Sequence, residues 1–211
     1  MRTWLQSASA LSLALSCGMA SADLLYTFDT DAQGVTATGA ALTEGSGFLT
    51  LQDIDSADMA VYLPSADLSN GLQYLGGTLS FDATNLNGAV NDWFTFGTVR
   101  LSGGGLFVEL DTVPGAEPAG DWKTYSVVLD EVTWGPSLSV VLAQLSGVSI
   151  TLESHIGYDS SNGGFELNGV DNIRLAAAVP EPGTWALALT GLLVVPWVAR
   201  RPARRQSAKR H

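Results

Sequence analysis

Aromatic side chains beside polar loop residues are the part of this sequence best suited to binding chemistry. Sugars stack their C–H faces on aromatic rings and exchange hydrogen bonds with polar groups at the rim of the ring. Trp93 follows Asn91-Asp92 at the edge of a loop, and Tyr158 lies in a glycine-rich segment next to Asp159. We therefore predict that Trp93 and Tyr158 are the exposed, ligand-binding aromatic residues, the alternative being that such rings fill the core.

Catalytic chemistry is poorly supported by the residue pattern. Hydrolysis of a glycosidic bond needs two carboxylates about 5–10 Å apart, whereas the adjacent Asp130-Glu131 would point to opposite faces of a strand. Serine chemistry would depend on His155, and the chain contains no Gly-x-Ser-x-Gly motif. The sequence predicts that the protein is not an enzyme, and a glycan hydrolase is the least favoured alternative.

Charge is distributed unevenly along the chain. There are 10 Lys and Arg residues and 21 Asp and Glu residues, for a formal net charge of −11. Residues 23–178 contain 3 basic and 20 acidic residues, so their net charge is 3 − 20 = −17. A polyanion repels nucleic acid and other acidic polymers, so we predict no nucleic-acid partner. Hydrophobic residues make up 46% of the chain, so we expect it to fold rather than to be disordered. The charged fraction of 15% is low, which favours a β-rich extracellular protein.

The first 22 residues have the organisation of a secretory signal peptide. Arg2 supplies a positive start, residues 4–20 are apolar or small, and Ala20-Ser21-Ala22 is an A-x-A cleavage site. We predict cleavage after Ala22 and export through the Sec machinery. The single cysteine, Cys17, would then be removed, so the mature chain would contain no disulfide.

Residues 179–211 contain three features in a fixed order. Pro180-Glu181-Pro182 is followed by an apolar run over residues 184–199 and then by a basic cluster that begins at Arg200 and Arg201. This order resembles the PEP-CTERM sorting signal of exopolysaccharide-producing Gram-negative bacteria. The resemblance implies an exosortase as partner, cleavage near Pro180-Glu181-Pro182, and transient residence of the precursor in the inner membrane through a short transmembrane helix. The mature form would reach the cell surface, the outer membrane or the extracellular matrix.

The middle of the chain alternates apolar and polar residues with a period of two, which predicts strands. Turn signals such as Asn70-Gly71, Asn87-Gly88 and Gly103-Gly104-Gly105 separate the segments. Residues 136–145 instead carry apolar residues at helical spacing, which predicts one short helix at the end of a sandwich. We therefore expect residues 23–178 to form a single all-β, antiparallel β-sandwich.

Two motifs in this region suggest a family. One is W-x-x-Y-x-V-x-L-D-E over residues 122–131, and the other is Asp171-Asn172-Ile173. Together with the runs LGGTLSFDATNL (75–86), VRLSGGGLFVEL (99–110) and LSVVLAQLSGVSITLESHI (138–156), they resemble the laminin B (laminin IV type A) domain. The resemblance implies a galactose-binding-like jelly roll, an extracellular module, and core positions for Trp122 and Tyr125.

A jelly roll of this kind also implies a structural calcium ion where the first and last strands meet. Calcium takes about 6–8 oxygen ligands, so a few carboxylates and backbone carbonyls suffice. Asp29 and Asp31 near the first strand, and Asp171 in the last, are the predicted ligands, although Asp171 could equally bond a backbone amide. Asp53, Asp55 and Asp58 form a second acidic group, which we predict to be a solvated loop.

The sequence thus predicts a secreted, non-catalytic binding module of the cell surface or exopolysaccharide matrix. Carbohydrate is the favoured ligand. A structural or adhesion protein that contacts other proteins is the alternative, and the two differ in whether the exposed aromatic residues line a groove or belong to an apolar patch.

Overall fold

The computed structural model describes residues 23–179 except residues 46, 89–90, 114, 116, 119 and 157–165. Strands dominate this part of the chain. They are β1 (Leu24–Tyr26), β2 (Thr36–Thr38), β3 (Ala40–Glu44), β4 (Leu49–Asp53), β5 (Ala60–Tyr62), β6 (Thr78–Asn85), β7 (Thr98–Gly103), β8 (Leu106–Asp111), β9 (Lys123–Val128), β10 (Leu145–Thr151) and β11 (Leu167–Ala176).

The strands form two antiparallel sheets. The first sheet has six strands in the order β3-β4-β11-β6-β9, with β1 also paired to β11. The second sheet has five strands in the order β2-β5-β10-β7-β8. The first and last strands are therefore neighbours, with Leu24 opposite Leu175. The predicted antiparallel β-sandwich is confirmed.

The core lies between the two sheets and takes alternate residues from their strands. In β6, Leu79 and Phe81 are buried while Ser80 and Asp82 face outward, as a period of two requires. In β7, Val99 and Leu101 are buried while Arg100 is exposed. Each sheet consequently has an outer face whose side chains are set by the residues between the core positions.

Two short α-helices close one end of the sandwich. The predicted helix over residues 136–145 is shorter than expected, because α2 covers Leu138–Ala143 and Leu145 already begins β10. A helix that was not predicted, α1 (Glu131–Trp134), begins where the Asp130 carboxylate accepts a hydrogen bond from the Thr133 N–H at 2.7 Å. Two 3-10 turns, Ser65–Asp67 and Gly71–Tyr74, connect β5 to β6.

Other details of the fold were not predicted. Strands β2 and β3 have the sequences TAT and AALTE, whose weak alternation hides them. The predicted signal peptide (1–22) and all but the first residue of the sorting segment (179–211) lie outside the described residues, as do Ala20, Ala22, Arg200 and Arg201. Within residues that the structure describes, no helix has the length and apolar character needed to cross a bilayer.

Candidate functional site

A row of five side chains crosses the outer face of the second sheet. Thr36, Tyr62, Ser149, Arg100 and Glu109 are successive cross-strand partners on β2, β5, β10, β7 and β8. Directly opposed residues in a sheet project to the same face. All five strands therefore contribute one side chain each to a continuous line across the outer surface.

The row has a small side chain at its centre and larger side chains on both sides. Ser149 in the centre is small, and a neighbouring line on the same face contains Gly147 and Ser102. Tyr62, which is 41% exposed, stands on one side. Arg100 stands on the other side, two strands away, so the backbones of Arg100 and Tyr62 are about 10 Å apart. We call this surface the Tyr62–Arg100 groove.

Contacts among its side chains hold the Arg100 side of the groove in place. The Arg100 guanidinium lies 3.6 Å from the centre of the Phe107 ring, and Arg100 Nη1 lies 3.6 Å from Glu109 Oε2. Phe107 is 54% exposed. An arginine that stacks on an aromatic ring and faces a carboxylate keeps several N–H donors available to a ligand.

Local sequence explains why these residues meet. Arg100 stands between the core residues Val99 and Leu101, so it must face outward. A tight turn at Gly104-Gly105, where both residues have positive φ, then returns the chain as β8 and brings Phe107 opposite Ser102. The prediction that this glycine run makes a turn between two strands is confirmed.

The predicted aromatic residues lie elsewhere or outside the described residues. Trp93 is half-buried at the end of the sandwich, and its backbone N–H donates to the Ser154 carbonyl at 3.0 Å. Its ring lies 4.8 Å from that of Phe94, which is 75% exposed. Tyr158 falls outside the described residues. The assignment of Trp93 and Tyr158 as ligand-binding residues stays a prediction.

The predicted core position of Trp122 is wrong. Trp122 is 44% exposed and lies on the outer face of the first sheet. Its neighbour Tyr125 does pack against the core, with its ring 5.4 Å from that of Phe81. Trp122 precedes the first residue of β9, so its position depends on the strands beside it more than on its place in the motif.

The three predicted calcium ligands are only partly brought together. Asp29 and Asp171 are close enough that the Asp29 charge, after burial and the Asp82 charge, helps to raise the pKa of Asp171. Asp31 instead accepts a hydrogen bond from the Gln33 N–H at 2.8 Å. In the described part of the chain, no group of three or more acidic, histidine or cysteine side chains converges as a metal site requires. These residues do not fit a cage of carboxylates, and calcium stays a prediction.

The second acidic group is not the fully solvated loop that was predicted. Asp53 is buried, and its carboxylate accepts a hydrogen bond from the Asp55 N–H at 3.2 Å. The Asp55 carboxylate in turn accepts one from the Ala57 N–H at 2.8 Å. Burial raises the pKa of Asp53. These two carboxylates therefore shape the turn between β4 and β5.

A buried polar network joins the ends of β10 and β11. The Glu166 carboxylate accepts hydrogen bonds from the Ser154 N–H at 2.8 Å and the His155 N–H at 3.0 Å, and also from the Asn168 side chain. Glu153 accepts one from the Met59 N–H at 2.9 Å. Burial is the main cause of a raised pKa at Glu166. Burial is also the main reason why the pKa of Glu153 is raised to about 8. The network links the two sheets at one end of the sandwich.

Sequence reasoning missed the residues of the Tyr62–Arg100 groove, although one signal was available. Arg100 is one of only three basic residues between positions 23 and 178, and it stands in the apolar run VRL. An outward-facing arginine in a strongly acidic region points to a specific contact. Tyr62 and Glu109 carried no comparable signal, because their proximity to Arg100 arises only from strand order.

Comparisons with known proteins concern the fold. No family model and no curated protein matches the sequence. Among solved structures, PfGH50B matches with a TM-score of 0.51 and 12% identity over 74% of this chain and 23% of that chain. The L4b domain of human laminin alpha-2 matches with a TM-score of 0.49 and 12% identity over 67% of this chain and 85% of that chain. A family 29 carbohydrate-binding module, CBM29-2, matches with a TM-score of 0.43 and 14% identity over 77% and 99%.

Proposed function

We propose that this protein is a non-catalytic carbohydrate-binding module and that the Tyr62–Arg100 groove is its binding site. The observation that carries the proposal is the row itself. An exposed tyrosine lies two strands, about 10 Å between backbones, from an arginine that is stacked on Phe107 and paired with Glu109. The ring offers a surface for the C–H face of one sugar, while the guanidinium and the carboxylate offer a donor and an acceptor to its hydroxyls.

Charge restricts the ligand to neutral glycans. The region carries a net charge of −17, and Glu109 stands beside the single arginine of the groove. An acidic polysaccharide would meet repulsion over most of the surface. A neutral chain avoids that cost and still uses both charged groups as hydrogen-bonding partners.

A binding titration of the full-length chain with cellohexaose, xylohexaose, mannohexaose and laminarihexaose tests the proposal. We expect at least one probe to saturate a site whose affinity falls at least tenfold in Tyr62→Ala and in Arg100→Ala. Val132→Ala is the control, because Val132 is 96% exposed on α1 and is not one of the residues of the row. Wild-type affinity in both groove variants would overturn the assignment.

Export and sorting form a second part of the proposal. We infer that the Sec machinery exports the chain, that an exosortase cleaves near Pro180-Glu181-Pro182, and that the mature module acts at the cell surface, in the outer membrane or in the extracellular matrix. The strand bounds support this order, since β1 begins at Leu24 and β11 ends at Ala176, so both predicted cleavages would spare every strand.

Mass spectrometry of the protein recovered from a host with and without exosortase tests this part. We expect a mature N-terminus at Asp23 in both hosts and a C-terminus near Pro180 only with exosortase. An unprocessed C-terminus in the presence of exosortase would contradict the proposal, and Glu181→Ala provides the variant that should block cleavage.

A second candidate function, adhesion to another protein, is favoured by one observation. Phe94 and Ile156 are 75% and 56% exposed at the same end of the sandwich, where the Ile156 N–H donates to the Asp92 carboxylate at 2.8 Å. Exposed apolar residues that are held close together are typical of protein contacts. Phe94→Ser should then abolish pull-down of a matrix protein and leave glycan binding unchanged.

A further inference from the structure

We propose a second carbohydrate site on the outer face of the first sheet, centred on Trp122 and specific for neutral sugars. The two outer faces of a sandwich lie on opposite sides, so this site is separate from the Tyr62–Arg100 groove. The proposal does not rest on the groove, because its residues belong to β6, β9 and β11 and to the segments beside them.

Trp122 is fixed against the sheet while much of it stays exposed. Its six-membered ring lies over Gly169 of β11, where an added Cβ would come within 3.0 Å of the ring. The same Cβ would lie 3.1 Å from the Thr84 methyl group, so Thr84 contributes to the floor beneath the indole. Phe48 meets the indole edge-on, with ring centres 5.2 Å apart and an interplanar angle of 70°. An immobilised ring that is 44% exposed presents a stacking surface at little entropic cost.

A line of hydrogen-bonding side chains runs beside the indole. Asp82 of β6 is the cross-strand partner of Thr124 on β9 and of Asp171 on β11. Asp171 follows Gly169 by two residues on the same strand face. The line of Thr124, Asp82 and Asp171 therefore lies about 7 Å along the strands from Gly169, which the indole covers. That spacing lets a sugar stacked on the indole direct its hydroxyls at the carboxylates. We call Trp122 and this line the Trp122 platform.

Local contacts hold the carboxylates of the platform in position. Asn172 has a left-handed backbone with φ of 50° at the bulge in β11, and its side-chain amide donates to Asp82 at 2.8 Å and to Asp171 at 3.0 Å. The Thr124 hydroxyl donates to the other oxygen of Asp82. Each carboxylate has lone pairs beyond these bonds, because an ionised carboxylate accepts about four. The carboxylates of Asp82 and Asp171 are therefore held in position before a ligand binds.

The chemistry of the platform selects a neutral sugar. Two adjacent carboxylates repel an acidic polymer. The aromatic contact on this face joins one indole to the ring of Phe48, which is less apolar area than a protein partner normally buries. Acceptors beside an aromatic ring fit a ligand that has a C–H face and a ring of hydroxyl donors, as sugars do.

Calorimetric titration of the full-length chain with cellohexaose, xylohexaose, mannohexaose and laminarihexaose tests the inference. We expect two binding sites per chain for at least one probe. Trp122→Ala should remove one of them, Trp122→Phe should retain it because stacking persists, and Tyr62→Ala should remove the other. Thermal melting of each variant checks that it is folded, and Asp82→Ala at an accessible strand position is the second variant if Trp122→Ala unfolds.

The outcomes separate the two sites. Wild-type binding in folded Trp122→Ala and Asp82→Ala would overturn the platform, whether or not Tyr62→Ala loses a site. Loss of all binding in the Trp122 and Asp82 variants with no effect of Tyr62→Ala would support the platform and overturn the groove. Absence of binding to every probe by the folded wild type would overturn both. Self-association that depends on Trp122 would also overturn the platform as a sugar site.

Discussion

The indole of Trp122, which immediately precedes β9, lies directly over the backbone of Gly169 in β11, and β6 lies between these two strands. Any side chain at position 169 would occupy space that the ring now fills. The glycine therefore determines where the tryptophan lies, and through it which part of the first sheet presents an aromatic surface. This relationship leads to the first of four predictions.

Gly169→Ala should displace the Trp122 ring. The new Cβ would lie 3.0 Å from the indole and 3.1 Å from the Thr84 methyl group, closer than ordinary contact. We expect a loss of about 1–3 kcal/mol in the free energy of unfolding, which is typical of overpacking, and a red shift of tryptophan emission. Denaturant unfolding followed by fluorescence measures both.

Gly147→Ala in β10 is the matched control for stability. A Cβ at residue 147 would meet Ser102 at 3.5 Å, which is ordinary van der Waals contact. We expect this variant to be clearly more stable than Gly169→Ala. Equal stability of the two variants would contradict the close packing of Trp122 on Gly169.

Glu166→Ala should be strongly destabilising. The buried carboxylate accepts hydrogen bonds from the Ser154 and His155 N–H groups, and each buried donor left without a partner costs about 1–3 kcal/mol. We expect a loss of about 3–5 kcal/mol from the free energy of unfolding in urea, with Glu166→Gln intermediate because its amide keeps one acceptor. The exposed Glu131→Ala, expected within about 0.5 kcal/mol of wild type, is the control. A loss in Glu166→Ala no larger than in that control would count against the network.

Stability should fall as pH rises from about 4.5 to 8. Burial raises the pKa of Glu153 to about 8 from an unfolded value of 4.5, and it raises the pKa values of Glu166 and Asp53 in the same direction. In this pH window the folded chain keeps protons that the unfolded chain releases. Each increase in pH therefore favours unfolding. The stabilisation is complete below the unfolded pKa and is lost as pH passes the folded pKa.

Melting temperatures measured between pH 5 and pH 8 check this prediction. Glu153→Gln, which cannot ionise and still offers an acceptor to the Met59 N–H, should flatten the dependence. A wild-type melting temperature that increases with pH across the window would contradict the assignment of raised pKa values.

Asp171→Asn should stabilise the folded chain at neutral pH. Burial and the nearby charges of Asp82 and Asp29 raise the pKa of Asp171, so its ionised form is disfavoured by folding. The amide keeps an acceptor for the Asn172 N–H, which lies 2.7 Å away. Denaturant unfolding at pH 7 should show the gain, and the gain should shrink as pH falls toward the folded pKa.

Asp130→Asn should instead destabilise the folded chain at neutral pH. Hydrogen bonds from Thr133 lower the pKa of Asp130, so its charge is favoured by folding. Destabilisation by Asp171→Asn would contradict the electrostatic argument.

Melting with calcium and with a chelator extends the test. A calcium-dependent rise in the melting temperature of the wild type that Asp171→Asn removes would support the metal predicted at Asp29, Asp31 and Asp171.

The sequence by itself determined the all-β class, the turn at Gly104-Gly105 and the alternation of buried and exposed residues that marks strands such as β7. These features depend on residues close together in the chain: a period of two buries Val99 and Leu101 and exposes Arg100 wherever the strand is placed. It overlooked β2 and β3 because their residues alternate weakly, and it overextended α2 because Leu145 fits the helical spacing equally well.

Only the tertiary structure decided which side chains share a surface. Tyr62, Ser149 and Arg100 meet because β10 lies between β5 and β7, an order that no local pattern specifies. Trp122 is exposed because Gly169, 47 positions later in the sequence, gives its ring a place outside the core. Strand order depends on the summed burial of both sheets, so it is a property of the whole chain rather than of any motif.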